Sequence, residues 1–194
     1  HAKLACFAAI DMNNALIPLR EKWANEGRPV VNVRMGLNTG KMVVGNMGSA
    51  QRMDYTMMGD AVNLAARLEG ANKAFGSYLM ISESTYLEAK DHIDVRELDT
   101  IRVIGKSEAV KVYNLIERKG QTTGLMADLV AQYDKAHALY KARDFAGAKE
   151  AFKVALAIDP TDGPSATYVD RCELYISSPP AEDWDGVYQM ESKG

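Results

Sequence analysis

The spacing of apolar residues changes along the chain in an order that limits the fold to two parts. Residues 2–25 carry apolar side chains at helical spacing, whereas residues 31–38 alternate between apolar and polar as a half-buried strand does. A turn at 38–41 then predicts a hairpin with the stretch 42–47. One more amphipathic helix begins at Asp60, and further strand-like stretches lie at 78–82, 93–98, 100–105 and 109–116. The sequence therefore predicts an α+β region over 1–117.

The chain beyond this region changes character. Residues 118–124 are polar and glycine-rich and predict a linker. Residues 125–176 predict a small helical hairpin segment, with helices near 126–142 and 145–158 and a third from 164 to 176. The tail, 177–194, is rich in Pro, Asp and Gly and is expected to be irregular, with Trp184 against a neighbouring surface.

The helical hairpin has two interpretations. Six residues stand at offsets that resemble one tetratricopeptide repeat: Ala136, Leu139, Ala148, Phe152, Ala155 and Pro160. A repeat of this kind would dock a protein partner, whereas a generic helical hairpin would not require one.

Composition excludes several classes of function. A net charge of −3 argues against nucleic acid as the main partner. No run approaches the roughly 18 apolar residues that a membrane-spanning helix needs. The two cysteines, Cys6 and Cys172, match no metal spacing and suggest buried thiols in a reducing, cytoplasmic location. Because the chain starts at His1 within a helical pattern, we expect a piece of a longer protein.

The helix "GDAVNLAARLE" raises the question of function. Asp60, Asn63 and Arg67 lie opposite its apolar face, with Asn63 and Arg67 one turn apart. Such a face could simply be solvated. However, Gly45 and Gly48 in the preceding stretch would let the backbone approach a ligand closely, and helix N-termini favour anions. Arg34 could join this group, so the residues alone suggest an anion site, although no P-loop motif is present.

At this point the sequence resembles a known family. The stretch "VRMGLNTGKMVVGNMGSAQRMDYTMMGDAVNLAARLE", followed later by "IGKSEAVKVY", is similar to the C-terminal part of a class III nucleotidyl cyclase catalytic domain of the bacterial adenylate cyclase type. The resemblance covers residues 1–117 and is densest over 31–69. It implies a ferredoxin-like α+β fold without its N-terminal part, and a head-to-tail homodimer with the site at the subunit interface. The implied reaction converts ATP to 3′,5′-cyclic AMP and pyrophosphate in intracellular signalling. The resemblance also implies that a sensor region and a membrane anchor could lie upstream in the parent protein, as is common among its relatives.

The resemblance also implies roles for single residues. Asn63 would position the ribose, and Arg67 would neutralise charge on the α-phosphate as the 3′-oxygen attacks. Thr56 would select adenine together with the backbone next to Met57, since adenylate cyclases of this type carry Thr there. Asp54 would hold a base-selecting lysine that is not in this chain, and Arg34 would contact the terminal phosphates.

Two departures from the family pattern limit these expectations. The two metal-binding aspartates and the base-selecting lysine lie upstream of the matched part, so no metal ligand is expected in this chain. Two divalent ions, Mg²⁺ or Mn²⁺, would still be needed by the parent protein, and this chain alone is expected to be inactive. Ile104 stands where a phosphate-binding lysine is common, and Arg102 or Lys106 would have to substitute for it.

Two other functions compete with an enzyme. One is a cyclase-like nucleotide-binding or regulatory module without catalysis, and the other is a helical interaction scaffold. The presence of Thr56, Asn63 and Arg67 together favours the enzyme, and Thr56 favours ATP over GTP.

Overall fold

The computed structural model describes residues 1–49, 51–102 and 109–189. Within them, six helices and seven strands follow in the order α1 (Ala2–Asn25), β1 (Met35–Leu37), β2 (Val43–Ser49), β3 (Arg52–Met58), α2 (Asp60–Phe75), β4 (Leu79–Ser82), α3 (Glu83–Ala89), β5 (Ile93–Arg102), β6 (Val110–Arg118), α4 (Gly124–Lys141), α5 (Phe145–Ile158), α6 (Gly163–Ser177) and β7 (Val187–Gln189). The predicted mixed α+β class is confirmed.

One sheet organises the molecule, with strand order β1-β4-β6-β5-β7. Because successive residues of a strand point to opposite faces, β4 sends Leu79 and Ile81 to one side and Met80 to the other. Helices α1 and α3 cover the first face. Helix α2 and the three C-terminal helices share the second.

The predicted hairpin is wrong in its partners. Strand β2 pairs with β3, from Val43 opposite Met58 to Ser49 opposite Arg52, and β1 pairs with β4 instead. The loop after β1 is hydrogen-bonded to two helices. The Asn38 side-chain amide donates to the Ala61 carbonyl at 2.9 Å, and the hydroxyls of Thr39 and Thr85 lie 3.0 Å apart. These bonds hold residues 38–39 at the beginnings of α2 and α3 and leave no hairpin turn there.

Other strand boundaries also differ from the prediction. The expected strand over 31–38 is only Met35–Leu37, an edge strand of the described sheet. The short strands expected over 93–98 and 100–105 are continuous over the described residues 93–102 as one strand, β5, whose register shifts accommodate its irregular pattern. The rest of the second expected strand, 103–105, lies outside the described residues. The short helix after Ser82 is as predicted, since the Ser82 hydroxyl accepts from the Thr85 amide at 3.3 Å.

The helical segment α4–α6 packs on the sheet and does not form a separate core. Its buried aromatic residues, including Tyr133, Phe152 and Tyr168, lie in one core with Leu98 and Ile101 of β5. The connection predicted as a linker is short and fixed, because the Asp94 carboxylate accepts from the amides of residues 120 and 122.

A buried ion pair ties the same two parts together. The guanidinium of Arg96 on β5 donates to both carboxylate oxygens of Asp162, at 2.6 and 3.0 Å. Both side chains are about 5% exposed or less. Asp162 also accepts from the Ser165 amide at 3.0 Å and so caps α6.

The tail is more ordered than predicted. Strand β7 extends the sheet by pairing in parallel with β5. Trp184 packs against Tyr140, Phe145 and Tyr175, with ring centroids 5.4 to 5.8 Å apart. Arg143 donates to the carbonyls of residues 180, 181 and 182. Residues 178–186 form no helix or strand, as the composition predicts, and the packing of Trp184 against a neighbouring surface is confirmed.

Among the helices of the described residues, none is long and apolar enough to cross a membrane.

Candidate active site

The polar face of α2 begins directly at the end of β3. Gly59 joins the two elements with a φ of 145°, a conformation that side chains rarely adopt, and its carbonyl accepts from the amides of Val62 and Asn63. The strand therefore turns into the helix without a loop. Asn63 is exposed and Arg67 is half-buried. In the described part of the chain, Arg67 has neither a hydrogen-bond acceptor nor an ion-pair partner.

Close packing on β1 fixes the path of α2. A Cβ atom at Gly36 would lie 2.5 Å from the Ala65 carbonyl oxygen and 2.8 Å from the Leu68 carbonyl carbon, so only glycine allows this contact. Asn72, fully buried, donates to the Met35 carbonyl at 3.0 Å. Neither Gly36 nor Asn72 was predicted to position the site. Gly36 in the middle of a predicted strand was the available signal, since an interior glycine marks close backbone approach.

The predicted base-selecting residues lie on an exposed two-stranded ribbon formed by β2 and β3. Thr56 and Met57 are exposed. The large side chains of Val43, Met53 and Tyr55 on the same ribbon are each at least 66% exposed to solvent. Asp54 lies 3.6 Å from the Arg52 guanidinium, and both are at the surface. Thr56 stands four residues before α2, so the ribbon brings it toward the helix that carries Asn63 and Arg67.

One of the two ribbon glycines has a structural explanation. Gly48 adopts a φ of 144° at the turn into β3, and a Cβ there would collide with the Arg52 carbonyl oxygen. A Cβ at Gly45, opposite Thr56, would meet open space. The turn therefore explains Gly48, whereas the described contacts give no steric reason for glycine at position 45.

The predicted phosphate-binding arginines do not gather around Arg67. Arg34 lies 3.3 Å from the Glu69 carboxylate, and Glu69 is about 200° around α2 from Arg67. Arg34 and Glu69 border a cleft of about 480 Å³ between α1, β1 and α2, whose other lining residues are apolar or glycine. Arg102 is paired with Asp185 of the tail at 3.2 Å. Lys106 and Ile104 lie outside the described residues.

The strongest pKa shifts occur away from α2's polar face, between the sheet and the helical segment. Burial lowers the pKa of His137 to about 4, and the nearby Lys141 ammonium acts in the same direction. Burial raises the pKa of Asp99, against the effect of the Arg171 guanidinium. His137 on α4 is bonded to Tyr168 of α6, and Asp99 on β5 is paired with Arg171 of α6, so both groups belong to the packing between the sheet and the helical segment.

Metal ligands are not grouped in the part of the chain that the structure describes. No three His, Cys, Asp or Glu side chains there approach one another closely enough to hold an ion. The described residues therefore do not fit a metal centre.

Comparison with known proteins assigns this architecture. Residues 1–117 match the model of the adenylate and guanylate cyclase catalytic domain. The chain is 36% identical over 116 residues to Adenylate cyclase 1 of Rhizobium meliloti (strain 1021), covering 60% of this chain and 17% of that protein.

Two solved structures are similar as well. The adenylyl cyclase CyaB from P. aeruginosa superposes with a TM-score of 0.52 at 37% identity, covering 64% of each chain. The guanylyl cyclase Cya2 gives 0.53 at 27% identity, covering 62% of this chain and 60% of that one. The chain thus spans less than two thirds of the length of each of these relatives. Since the family model matches more than half of its residues, the chain belongs to the adenylate and guanylate cyclase catalytic domain family.

Proposed function

We propose that the full-length protein is an adenylate cyclase that converts ATP to 3′,5′-cyclic AMP and pyrophosphate. The observation that carries this proposal is the outward polar face of α2, where Asn63 is exposed and Arg67 has no partner in the described part of the chain. An arginine kept half-buried and unpaired on a well-packed helix is available for an anionic ligand. Family membership supplies the reaction.

In this reaction the ribose 3′-oxygen attacks the α-phosphorus. The new O–P bond closes the ring, the bond to the pyrophosphate oxygen breaks, and the 3′-hydroxyl proton is released. Arg67 would donate to the α-phosphate oxygens as negative charge develops on them, and Asn63 would orient the ribose. Preorganised donors of this kind are commonly worth about 3–4 kcal/mol each.

Thr56 is proposed to select the base. Its hydroxyl, with the backbone next to Met57, would pair with the adenine edge, and Asp54 would hold a lysine from outside the described residues. A guanylate cyclase is the second candidate, because Cya2, a guanylyl cyclase, is among the similar structures. Thr56 favours adenine, since the resemblance implies that relatives with another base preference carry Asp there.

A homodimer is proposed because one copy does not bring the arginines together. Arg34 pairs with Glu69, which lies about 200° around α2 from Arg67, and a second copy would allow an Arg34 and an Arg67 from different copies to meet one triphosphate. The exposed apolar ribbon β2–β3 would contribute to the interface, because Val43, Met53 and Tyr55 would be buried there. Arg102 or Lys106 would add a phosphate contact in place of the lysine replaced by Ile104.

Two divalent ions, Mg²⁺ or Mn²⁺, are proposed to assist the full-length protein, held by carboxylates outside the described residues. This chain assayed alone should then form no cyclic AMP. A cytoplasmic location is proposed on the two free, buried thiols, Cys6 and Cys172, which are typical of reducing compartments.

For the helical segment, a single tetratricopeptide-like repeat remains a proposal. The scaffold hypothesis is weakened because aromatic residues of α4, α5 and α6 are buried against the protein's own sheet. The segment therefore packs on β5 of its own chain. Another protein would have to bind a surface of the segment that does not face the sheet.

The test is the Arg67→Ala variant of the full-length protein, with ATP turnover measured. We expect kcat to fall about 100-fold with little change in KM, because the contact forms mainly in the transition state. Lys73→Ala, on an exposed position of the same helix, is the matched control and should leave both constants unchanged. A full-length protein that binds ATP but forms no cyclic product would instead support the non-catalytic nucleotide-binding module.

A further inference from the structure

The far end of α2 is in direct backbone contact with α6. Gly76 ends α2 in the left-handed conformation, with a φ of 59°. A Cβ atom there would lie 2.7 Å from the Cα of Gly163, the first residue of α6. A Cβ at Gly163 would in turn collide with the Gly76 carbonyl oxygen. With no side chain between them, the two helix ends are in van der Waals contact through their backbones and leave no room for a larger residue at either position.

A second contact from α6 holds the last residue of α2. The Arg171 guanidinium lies over the ring of Phe75, 4.6 Å from its centroid, and pairs with Asp99 of β5 at 2.8 Å. Both partners of this pair are nearly excluded from water, with side chains 11% and 2% exposed. Phe75 is therefore held between α6 and the sheet by an interaction that is both charged and stacked.

The contact extends along the buried face of α2 toward the turn that carries Arg67. Leu68, Ala71 and Phe75 belong to the core that also contains Tyr168 and Cys172 of α6. Phe75 is eight residues beyond Arg67, or about 12 Å along a rigid helix. A change in the position of the Phe75 side chain therefore tilts the part of α2 that carries Arg67. Misplacing a catalytic group by about 1 Å can reduce the reaction rate about 100-fold.

We propose that Gly163 and Arg171 are positioning residues that hold α2, and through it Arg67, in the orientation that catalysis requires. The helical segment is then part of the catalytic unit of this protein, although neither residue touches the nucleotide. The inference rests on the proposed cyclase activity.

The experiment uses the full-length protein with Arg171→Lys, which keeps a cation near Asp99 but removes the planar group stacked on Phe75. Turnover, KM for ATP and the number of sites titrated by a non-hydrolysable ATP analogue are measured. We expect kcat to fall about tenfold, with KM and the number of binding sites unchanged. Glu173→Gln is the matched control, because Glu173 lies on the same helix in an exposed pair with Lys149, and it should leave kcat unchanged.

A double-mutant cycle with Arg67→Ala separates positioning from damage to the fold. If α6 acts through Arg67, Arg171→Lys should cause no further loss of kcat in the Arg67→Ala background. An equal loss in both backgrounds, an unchanged kcat, or a loss of binding sites that matches the loss of kcat would overturn the inference. Gly163→Ala, which forces the two helix ends apart, should reproduce the same pattern and decides the matter if Arg171→Lys does not fold. A wild-type protein without cyclase activity would refute the proposed function first, and this inference with it.

Discussion

Replacing Asp162 by alanine should strongly destabilise the chain, because this carboxylate has two structural tasks. It neutralises the buried Arg96 guanidinium through two hydrogen bonds and caps α6 through the Ser165 amide. Arg96 also donates to the Asn114 side chain and lies 4.8 Å from the centroid of the Tyr133 ring. It therefore cannot turn to water without breaking the contact between the sheet and the helical segment.

The expected magnitude is the sum of the two losses. Removing one partner of a buried ion pair costs about 3–5 kcal/mol, because the other charge stays buried and uncompensated. Losing the cap costs about 1 kcal/mol more. A total of about 4–6 kcal/mol is a large part of the roughly 5–15 kcal/mol that stabilises a typical domain.

Urea unfolding of this chain, followed by circular dichroism, measures the effect. With a dependence of about 2 kcal/mol per molar urea, the midpoint should fall by about 2–3 M. The double variant Arg96→Met/Asp162→Asn removes both charges and keeps an N-cap, so it should recover most of the loss. Glu150→Gln, in the exposed pair with Lys153, is the control and should not move the midpoint. A single variant as stable as the wild type, or a double variant no better than the single one, would refute the reasoning.

Three further outcomes are expected. In the full-length protein, Thr56→Val should reduce the preference for ATP over GTP more than it changes kcat for ATP, and competition assays with both nucleotides would measure this. An unchanged preference would show that Thr56 does not select the base. Burial lowers the pKa of His137 to about 4, whereas the pKa of a histidine in the unfolded chain is about 6.5. The neutral imidazole should therefore contribute about 3 kcal/mol to the free energy of unfolding above pH 6.5, and this contribution should be lost as the pH falls toward 4. His137→Gln should flatten this part of the stability profile, and an unaltered profile would exclude His137 as its cause. Deleting residues 125–194 should leave the chain unfolded or aggregated, because Leu98 and Ile101 would lose their cover; a soluble, cooperatively folding deletion product would contradict the shared core.

Local patterns in the sequence were enough to predict most helices and the polar face of α2. Periodicity depends on the geometry of the chain itself, so residues a few positions apart determine whether an apolar face forms. The capped beginning of α3 at Ser82 could be predicted for the same reason, since the cap and its amide are three residues apart. The motif between Arg34 and Arg67 likewise indicated the family, which the family model confirms over residues 1–117. The roles assigned to Thr56, Asn63 and Arg67 stay predictions.

Only the tertiary structure decided which elements meet. Strand β2 pairs with β3 and not with β1, because bonds from Asn38 and Thr39 to distant helices hold the loop between β1 and β2. Arg34 lies beside Glu69, away from Arg67, because α2 packs closely on Gly36. The helical segment covers the sheet through pairs such as Arg96 and Asp162, which are 66 residues apart. Contacts over such separations depend on how whole surfaces fit and how buried charges are matched, and no short-range pattern in the chain encodes them.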